Sequence, residues 1–159
     1  MSETAPSSRS DTHRDHGTLE GRCLCGAVAV RVAGAHLATV GVCHCKMCQR
    51  WNGYAWGAFE AAPEAVIVSG PVNRYRSTPF SERAFCAACG SHLWLRDTDT
   101  PTAPYELMPG LFDEAADFPL TSEIYTDRAP AYAPLAGDHR RQTRAVYEAK
   151  NRHIEGDLS

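Results

Sequence analysis

The chain has 159 residues, of which 43% are hydrophobic and 22% charged, and its formal net charge is −3. This length predicts one domain with enough apolar residues to form a core of its own. The acidic balance lacks the basic surface that nucleic-acid-binding proteins and proteins held on anionic membranes usually carry, so we expect neither nucleic acid nor a membrane as a partner.

The N-terminal segment, residues 1–17, is polar and has no hydrophobic periodicity, which predicts a disordered leader. It lacks the apolar stretch of a secretory signal peptide, and no apolar run along the chain is long enough to span a bilayer. We therefore expect a cytoplasmic protein. In that compartment thiols stay reduced, and clustered cysteines are more often metal ligands than disulfides.

From residue 18 onward the sequence breaks into short pieces rich in β-branched and aromatic residues, separated by Gly, Pro, Asn and Ser. Such pieces predict strands joined by tight turns. The predicted strands cover residues 26–32, 38–42, 54–59, 65–68, 72–76, 84–85, 93–96, 105–112 and 121–126. Many short strands at close spacing indicate an all-β domain.

Helix is predicted at only two places. Residues 113–118 are compatible with a single turn between two strands. Residues 139–154 contain neither Gly nor Pro and many helix formers, which predicts a terminal helix. The arginines of this segment suggest either a binding tail or the solvated face of a helix, and the solvated face is the preferred interpretation.

All seven cysteines fall into three short clusters: C-x-C at 23–25, C-x-C-x-x-C at 43–48 and C-x-x-C at 86–89. Zinc binds thiolates tetrahedrally at about 2.3 Å, so cysteines two or three residues apart on a tight turn suit one ion. A closed structural site takes four ligands, and a catalytic site takes three and keeps one position open. Four plus three accounts for all seven cysteines, whereas full disulfide pairing would leave one over.

The spacing alone does not fix which cysteines share an ion. The triplet is local enough to form a tripod by itself, which leaves the two outer pairs to clamp one ion between distant segments. The alternative to zinc is a redox dithiol or a set of inert buried thiols. A thioredoxin-like C-x-x-C would stand at a strand-to-helix step of a βαβ unit, and the sequence does not predict one around residues 86–89.

Several motifs together resemble one family. They are Gly-Arg-Cys-Leu-Cys-Gly at 21–26, the triplet at 43–48, Phe-Cys-Ala-Ala-Cys-Gly-Ser at 85–91, Pro-Gly-Leu-Phe-Asp at 109–113 and Asp-Arg-Ala-Pro at 127–130. Over about residues 17–134 the chain is similar to the glutathione-dependent formaldehyde-activating enzyme family, whose domain is shared with centromere protein V. The order of the three cysteine clusters carries most of this resemblance.

The resemblance implies an all-β, Mss4-like zinc-binding fold of small antiparallel sheets over residues 18–136, followed by a tail at 137–159. It implies two zinc ions per chain, one structural and one catalytic or exchangeable. The structural ion would be held by Cys23, Cys25, Cys86 and Cys89. The second ion would be held by Cys43, Cys45 and Cys48, which are then the catalytic residues.

The implied activity is that of a carbon–sulfur lyase, which joins glutathione and formaldehyde into S-hydroxymethylglutathione. A zinc ion held by three thiolates carries a net charge of about −1 and prefers a thiolate or a water as its fourth ligand. A substrate thiol bound there would lose its proton and attack a nearby aldehyde carbon. The expected partner is therefore glutathione or another small thiol. The alternative is a zinc-stabilised binding module without catalysis.

Two positions differ from the family pattern, and both are candidates for the lining of a substrate pocket. Tyr132 stands where members often have a tryptophan, and Trp51 stands where a small residue is frequent. These differences bear on the identity of the substrate and not on the fold.

Other side chains near the cysteines are candidates for a role at the open site. His44 is a candidate proton shuttle, although a histidine that points away from the metal is the favoured alternative. Arg50 is a candidate for binding a substrate carboxylate, with a surface ion pair as the alternative. Ser91 is a candidate hydrogen-bond donor to a zinc-bound sulfur. The aromatic residues after the triplet suggest a pocket lining, with core packing preferred: Trp51, Tyr54, Trp56 and Phe59. Arg83 and His92 receive no role.

Overall fold

The structure is a computed structural model that describes residues 13–152. Residues 1–12 of the predicted leader and residues 153–154 of the predicted terminal helix lie outside the described residues. Within the rest of the predicted leader, residues 14–15 form a short strand paired with residues 36–37, so this part is not disordered. The strands are β1 Arg14–Asp15, β2 Thr18–Arg22, β3 Ala29–Ala33, β4 His36–Leu37, β5 Val40–Cys43, β6 Trp56–Ala61, β7 Val66–Ser69, β8 Val72–Thr78, β9 Ser81–Cys86, β10 His92–Asp97, β11 Tyr105–Leu107, β12 Leu120–Ile124 and β13 Arg140–Gln142. The α-helices are α1 Lys46–Asn52 and α2 Arg144–Glu148, and short 3-10 turns cover Pro63–Ala65, Pro109–Leu111, Asp113–Asp117 and Thr126–Arg128.

The strands form two sheets, which confirms the predicted all-β class. The smaller sheet has three antiparallel strands in the order β2-β3-β7. The larger has ten strands: eight follow the path β13-β12-β5-β6-β11-β10-β9-β8, β4 also pairs with β6, and β1 pairs with β4. Its ladders are antiparallel except around β12, which pairs in parallel with both β5 and β13.

Alternation of buried and exposed residues explains how the smaller sheet packs. β2 and β3 bury every second side chain, so that Leu19, Val30 and Val32 face the same core while their neighbours face solvent. That core also contains Phe59 and Leu107 of the larger sheet. A single apolar cluster therefore joins the two sheets.

A second apolar cluster lies where β5, β6, β12 and the two helices meet. Its buried members are Cys43, Cys48, Trp56, Ala58 and Tyr125, and half-buried residues pack against it: Cys45, Trp51, Leu95, Met108, Ile124 and Tyr147. All three cysteines of the triplet belong to this cluster or contact it.

The helix α1 was not predicted from the sequence. It begins after Cys45, whose sulfur accepts a hydrogen bond from the backbone N–H of Cys48, and it ends at Gly53, which has a left-handed φ of 80°. A helix of seven residues that starts inside a metal-ligand motif carries too few apolar positions to show a helical period.

The predicted continuous helix over 139–154 is confirmed only at residues 144–148, and residues 140–142 form a strand instead. These residues form β13, which pairs in parallel with β12. An ion pair at 3.2 Å between Arg141 and the buried carboxylate of Glu123 stabilises this pairing. The helix α2 starts only after Thr143, whose hydroxyl accepts from the N–H of Val146. Among residues 13–152, no helix is long and apolar enough to cross a membrane.

The turn between β7 and β8 fits closely against the rest of the fold. Gly70 has a φ of 107°, and a Cβ atom built on it would lie 2.1 Å from the carbonyl oxygen of Ala27. The next residue, Pro71, accepts a hydrogen bond at 2.9 Å from the N–H of Ala87. This turn therefore touches both the segment after Cys25 and the segment after Cys86.

We expect Gly70→Ala to lower the free energy of unfolding by about 3 kcal/mol or more, because it combines an unfavourable φ with a clash against backbone atoms. Gly137→Ala is the matched control, since Gly137 has a φ of 106° but its nearest contact would be a side-chain atom of His139 at 3.7 Å. In Gly137→Ala the free energy of unfolding should fall by only about 1–2 kcal/mol, which is the cost of the unfavourable φ without a clash. Urea unfolding measures both, and equal losses would contradict the close approach at Gly70.

Candidate metal centres

The structure brings the two outer cysteine pairs together into one group, here called the first cysteine group: Cys23, Cys25, Cys86 and Cys89. Cys23 and Cys25 lie in the turn after β2, and Cys86 ends β9, with Cys89 in the following turn. The Cys23 and Cys25 sulfurs are 3.6 Å apart, and the Cys25 and Cys86 sulfurs are 3.9 Å apart.

These distances fit a closed zinc site. A tetrahedral ion with zinc–sulfur bonds of about 2.3 Å places its ligand sulfurs about 3.8 Å from one another. Both turns reach this geometry in the same way, through a glycine with a left-handed φ: Gly26 at 79° and Gly90 at 77°. The N–H of each glycine donates to the carbonyl of the first cysteine in its own turn, at 3.1 Å for Cys23 and 2.8 Å for Cys86.

Ser91 connects the two turns of the first cysteine group. Its hydroxyl accepts a hydrogen bond from the N–H of Leu24 at 3.0 Å and lies 3.1 Å from the sulfur of Cys89, to which it can donate its proton. Hydrogen bonds from the Ser91 hydroxyl and backbone lower the pKa of Cys89 to about 5. The contact expected of Ser91 from the sequence is thus present.

The second cysteine group contains Cys43, Cys45 and Cys48, whose sulfurs all lie within 4.8 Å of one another. Cys43 ends β5, and the other two flank the first turn of α1. Backbone N–H groups of Cys45 and Cys48 each donate to the sulfur of the preceding cysteine at 3.4 Å. Hydrogen bonds with the Cys43 and Cys48 sulfurs lower the pKa of Cys45 to about 3. Three thiolates in this arrangement fit three corners of a zinc tetrahedron and leave the fourth to another ligand.

Arg83 of β9 lies beside the second cysteine group and was given no role by sequence reasoning. Its side chain is buried, with 3% of its surface exposed, and its Nη2 donates to the Cys48 sulfur at 3.5 Å. The guanidinium lies 5.8 Å from the ring centre of Trp51 and 5.9 Å from that of Trp56. The sequence shows only an arginine three residues before Cys86; that this face of β9 meets the triplet depends on the order of strands in the sheet.

Three of the four aromatic residues after the triplet divide between the two apolar clusters. Phe59 is fully buried in the first core, while Trp56 is buried in the second cluster beside the cysteines. Trp51 is half-buried, and its ring contacts those of Phe85 and His92 at 5.8 and 5.1 Å. Core packing therefore describes Phe59, and the wall of the second cysteine group is formed by Trp51 and Trp56.

Comparison with known proteins gives the family. The sequence profile of the family described as "Glutathione-dependent formaldehyde-activating enzyme" matches residues 18–128, which include both cysteine groups. The chain belongs to this family.

Individual relatives agree with that assignment. An uncharacterized lyase of Schizosaccharomyces pombe is 30% identical over 112 residues, which cover 70% of this chain and 80% of that protein. A putative glutathione-dependent formaldehyde-activating enzyme of Halomonas elongata is 34% identical over 92 residues, which cover 52% of this chain and 59% of that protein. A crystal structure of a Rhodobacter sphaeroides protein has a TM-score of 0.50 and 23% identity, covering 64% of this chain and 99% of that one, and it shows a shared fold.

In this member of the formaldehyde-activating family, His44 is engaged by a buried carboxylate. Its Nε2 lies 2.5 Å from an oxygen of Glu123, and the other oxygen of Glu123 accepts from His139 at 2.6 Å and from Arg141 at 3.2 Å. His44 is also not among the residues whose ligand atoms gather around the triplet. The geometry therefore agrees with the alternative in which this histidine points away from the metal.

Glu123 stays ionised in spite of its burial. Burial alone would raise the pKa of this carboxyl, but hydrogen bonds from His139 and His44 outweigh it and lower the pKa below its ordinary value. The carboxylate joins β12 to the residue between Cys43 and Cys45 and to β13. Sequence reasoning missed it, because no local motif links residue 123 with residues 44 and 139.

The segment that follows the family match covers one side of the second cysteine group. Tyr147 of α2 packs against the cluster that contains Cys43 and Cys48, and its ring lies 5.6 Å from that of Tyr125. The Tyr125 hydroxyl donates to Glu148 at 3.0 Å. Burial raises the pKa of Tyr147, and nearby negative groups add to the shift. The described part of the expected tail, residues 137–152, thus packs on the domain.

Two further candidates lie at the surface. Arg50 is exposed in the last turn of α1. Tyr132 has 77% of its surface exposed and contacts Tyr54, whose hydroxyl donates to the carbonyl of Ala133. Neither Arg50 nor Tyr132 lies in the wall of the second cysteine group.

We expect Cys89→Ser and Cys45→Ser to differ in their effect on stability. The first cysteine group joins positions 61 residues apart in the chain, so Cys89→Ser should lose one zinc and a large part of the free energy of unfolding. The second group spans only residues 43–48, so Cys45→Ser should lose the other zinc with a smaller fall. Metal analysis and urea unfolding measure both variants. A larger loss of stability in Cys45→Ser would contradict the assignment of the two groups.

We expect Glu123→Gln to lower the free energy of unfolding at neutral pH by about 1–3 kcal/mol, because glutamine replaces one of two acceptor oxygens with a donor that faces His139 and Arg141. The lowered pKa of Glu123 means that its contribution is complete above the ordinary value of 4.5 and is lost as the pH falls through the folded value. The gap between wild type and variant should therefore close in acid.

The control is Glu20→Gln, which removes an exposed ion pair with Arg31 and should cost less than about 1 kcal/mol. Urea unfolding from pH 7 down to pH 3 gives the comparison. Zinc content is measured at each pH, and the proteins are compared only where it is equal. A gap that stays constant with pH would show that Glu123 does not act through its charge.

Proposed function

We propose that this chain is a zinc-dependent carbon–sulfur lyase that joins a thiol to a small aldehyde and separates them again, with glutathione and formaldehyde as the pair. The observation that carries the proposal is the second cysteine group, which offers three sulfurs within 4.8 Å of one another and no fourth protein ligand among the described residues. Its place in the formaldehyde-activating family supports the same chemistry.

The two cysteine groups have different proposed roles. Cys23, Cys25, Cys86 and Cys89 would hold a structural zinc, because four sulfurs close the coordination sphere. Cys43, Cys45 and Cys48 would hold the second zinc, which supplies a position where a thiol loses its proton readily. All seven cysteines are free, as a reducing compartment such as the cytoplasm would keep them.

The reaction needs little from the protein beyond positioning. The thiolate sulfur attacks the carbonyl carbon, the carbon–sulfur bond forms, and the electron pair of the carbonyl π bond moves to oxygen, which takes a proton from water. The reverse reaction breaks the same bond. Cysteine side chains fix the place of the thiol, and binding two reactants side by side removes much of the entropic part of the barrier.

Residues around the second cysteine group control its charge and its access to water. Arg83 places a permanent positive charge beside the three sulfurs, which lessens the cost of gathering thiolates there. Trp51, Trp56 and Tyr147 surround the group with apolar surface. A drier site strengthens electrostatic interactions between the protein and a bound thiolate.

The test is the rate at which glutathione and formaldehyde exchange with their adduct, followed by nuclear magnetic resonance at equilibrium. Zinc-loaded protein should raise the exchange rate above that of buffer, and Cys45→Ser should remove at least about nine-tenths of the increase, since each tenfold change corresponds to only about 1.4 kcal/mol.

Cys45→Ser is an acceptable test only while it keeps one zinc and a cooperative unfolding curve, which shows that the first cysteine group is intact. A variant that has lost the second zinc but keeps the full exchange rate would overturn the proposal. Zinc-loaded wild type that leaves the exchange rate at the buffer level would support the alternative of a zinc-stabilised binding module.

A further inference from the structure

Arg83 is a buried cation whose hydrogen-bonding capacity is only partly used. Its side chain is 3% exposed, and Nη2 reaches the Cys48 sulfur at 3.5 Å. Its Nε and Nη1 atoms are buried and have no hydrogen-bond partner among the described residues. A guanidinium carries five N–H donors, and the three on Nε and Nη1 have no acceptor among the described residues.

Burying a guanidinium with unpaired N–H groups destabilises the fold unless an acceptor binds them. A buried donor without a partner carries its full desolvation penalty, and the penalty is larger when the group is charged. Packing between two indole rings offsets part of this cost through the attraction of a cation to the ring faces. The rings also hold the guanidinium in place, but they accept no conventional hydrogen bond from its unused N–H groups.

Neighbouring groups do not supply the missing acceptor. Glu82, the adjacent residue in β9, directs its carboxylate to Arg74 at 3.5 Å and to the Trp94 indole N–H at 3.4 Å. His92 donates from its Nδ1 to the side-chain oxygen of Asn52. Burial and the positive charge of Arg83 lower the pKa of His92, so this ring brings no negative charge to the guanidinium.

We propose that Arg83 determines the specificity of the second cysteine group by binding a carboxylate of the thiol substrate. The inference rests on the proposed function, since the thiol must first occupy the fourth position beside Cys43, Cys45 and Cys48. A carboxylate suits Arg83 better than a neutral oxygen, because it accepts stronger, charge-assisted hydrogen bonds from the unused donors. The substrate class is therefore a thiol whose carboxylate lies a few bonds from its sulfur.

This assignment transfers to Arg83 a role that the sequence suggests for Arg50. The Arg50 side chain lies on the exposed face at the end of α1, where water competes for any ion pair it forms. Arg83 is buried beside Cys48, where a carboxylate would meet little competition from water. Arg83 is thus the residue whose environment can select an acidic thiol over a neutral one.

The experiment compares two thiols of equal length, 3-mercaptopropionate and 3-mercapto-1-propanol, which differ in their terminal carboxylate and hydroxyl. Each is titrated into the full-length protein loaded with cobalt(II) in place of zinc, and the sulfur-to-cobalt charge-transfer absorption reports its binding. We expect wild type to bind the acid at least about tenfold more tightly than the alcohol, a difference of about 1.4 kcal/mol. Arg83→Gln should remove that preference by weakening the acid alone, and Arg83→Lys should restore part of it.

The outcomes separate this inference from the proposed function. If neither thiol alters the cobalt spectrum of wild type, the proposed function fails. If both thiols bind wild type equally well, the inference about Arg83 fails and the proposed function stands; this comparison needs no variant. An Arg83→Gln protein that keeps the wild-type preference also overturns the inference. So does one in which binding of both thiols weakens by the same factor, because Arg83 would then only maintain the structure of the second cysteine group.

Discussion

The convergence of four sulfurs in the first cysteine group is the constraint on which the rest of the structure depends. Thiolates 3.6–3.9 Å apart repel one another unless a cation lies between them, so the two turns that carry them are held together by whatever ion they share. One turn follows β2 of the smaller sheet, and the other follows β9 of the larger. The group thus fixes the relation of the two sheets at one end.

The same constraint reaches the second cysteine group through β9. Cys86 ends this strand, and Arg83 lies three residues earlier, with its guanidinium beside Cys48. When Cys86 is held in the first group, the direction of β9 places Arg83 beside Cys48. The three cysteines of the second group are local in sequence and need no such support to meet. What makes their surroundings suitable for chemistry is supplied by distant elements: Arg83 from β9, Glu123 from β12 and Tyr147 from α2.

Much of the fold could be predicted because its causes are local. The alternation in β3 and the turn residues around β7 and β8 identify these strands directly, and the spacing of the cysteines limits the metal groups to a few combinations. The rest depends on contacts that no local pattern records. The strand β13 is stabilised by the ion pair between Arg141 and Glu123, and no hairpin turn in the sequence predicts the parallel pairing of β12. In the sequence Arg83 has the pattern of an ordinary strand residue, and only the order of the strands brings it beside Cys48.

The cover over the second cysteine group also has a place in the order of synthesis. All seven cysteines precede residue 90, whereas β12, β13 and α2 come after residue 119. Both groups of sulfurs therefore leave the ribosome before Tyr147 exists to pack against them. A metal ion delivered to the nascent chain would meet the three cysteines before Tyr147 covers one side of them. In the finished protein an ion would have fewer directions in which to enter or leave, as a result of chain order alone.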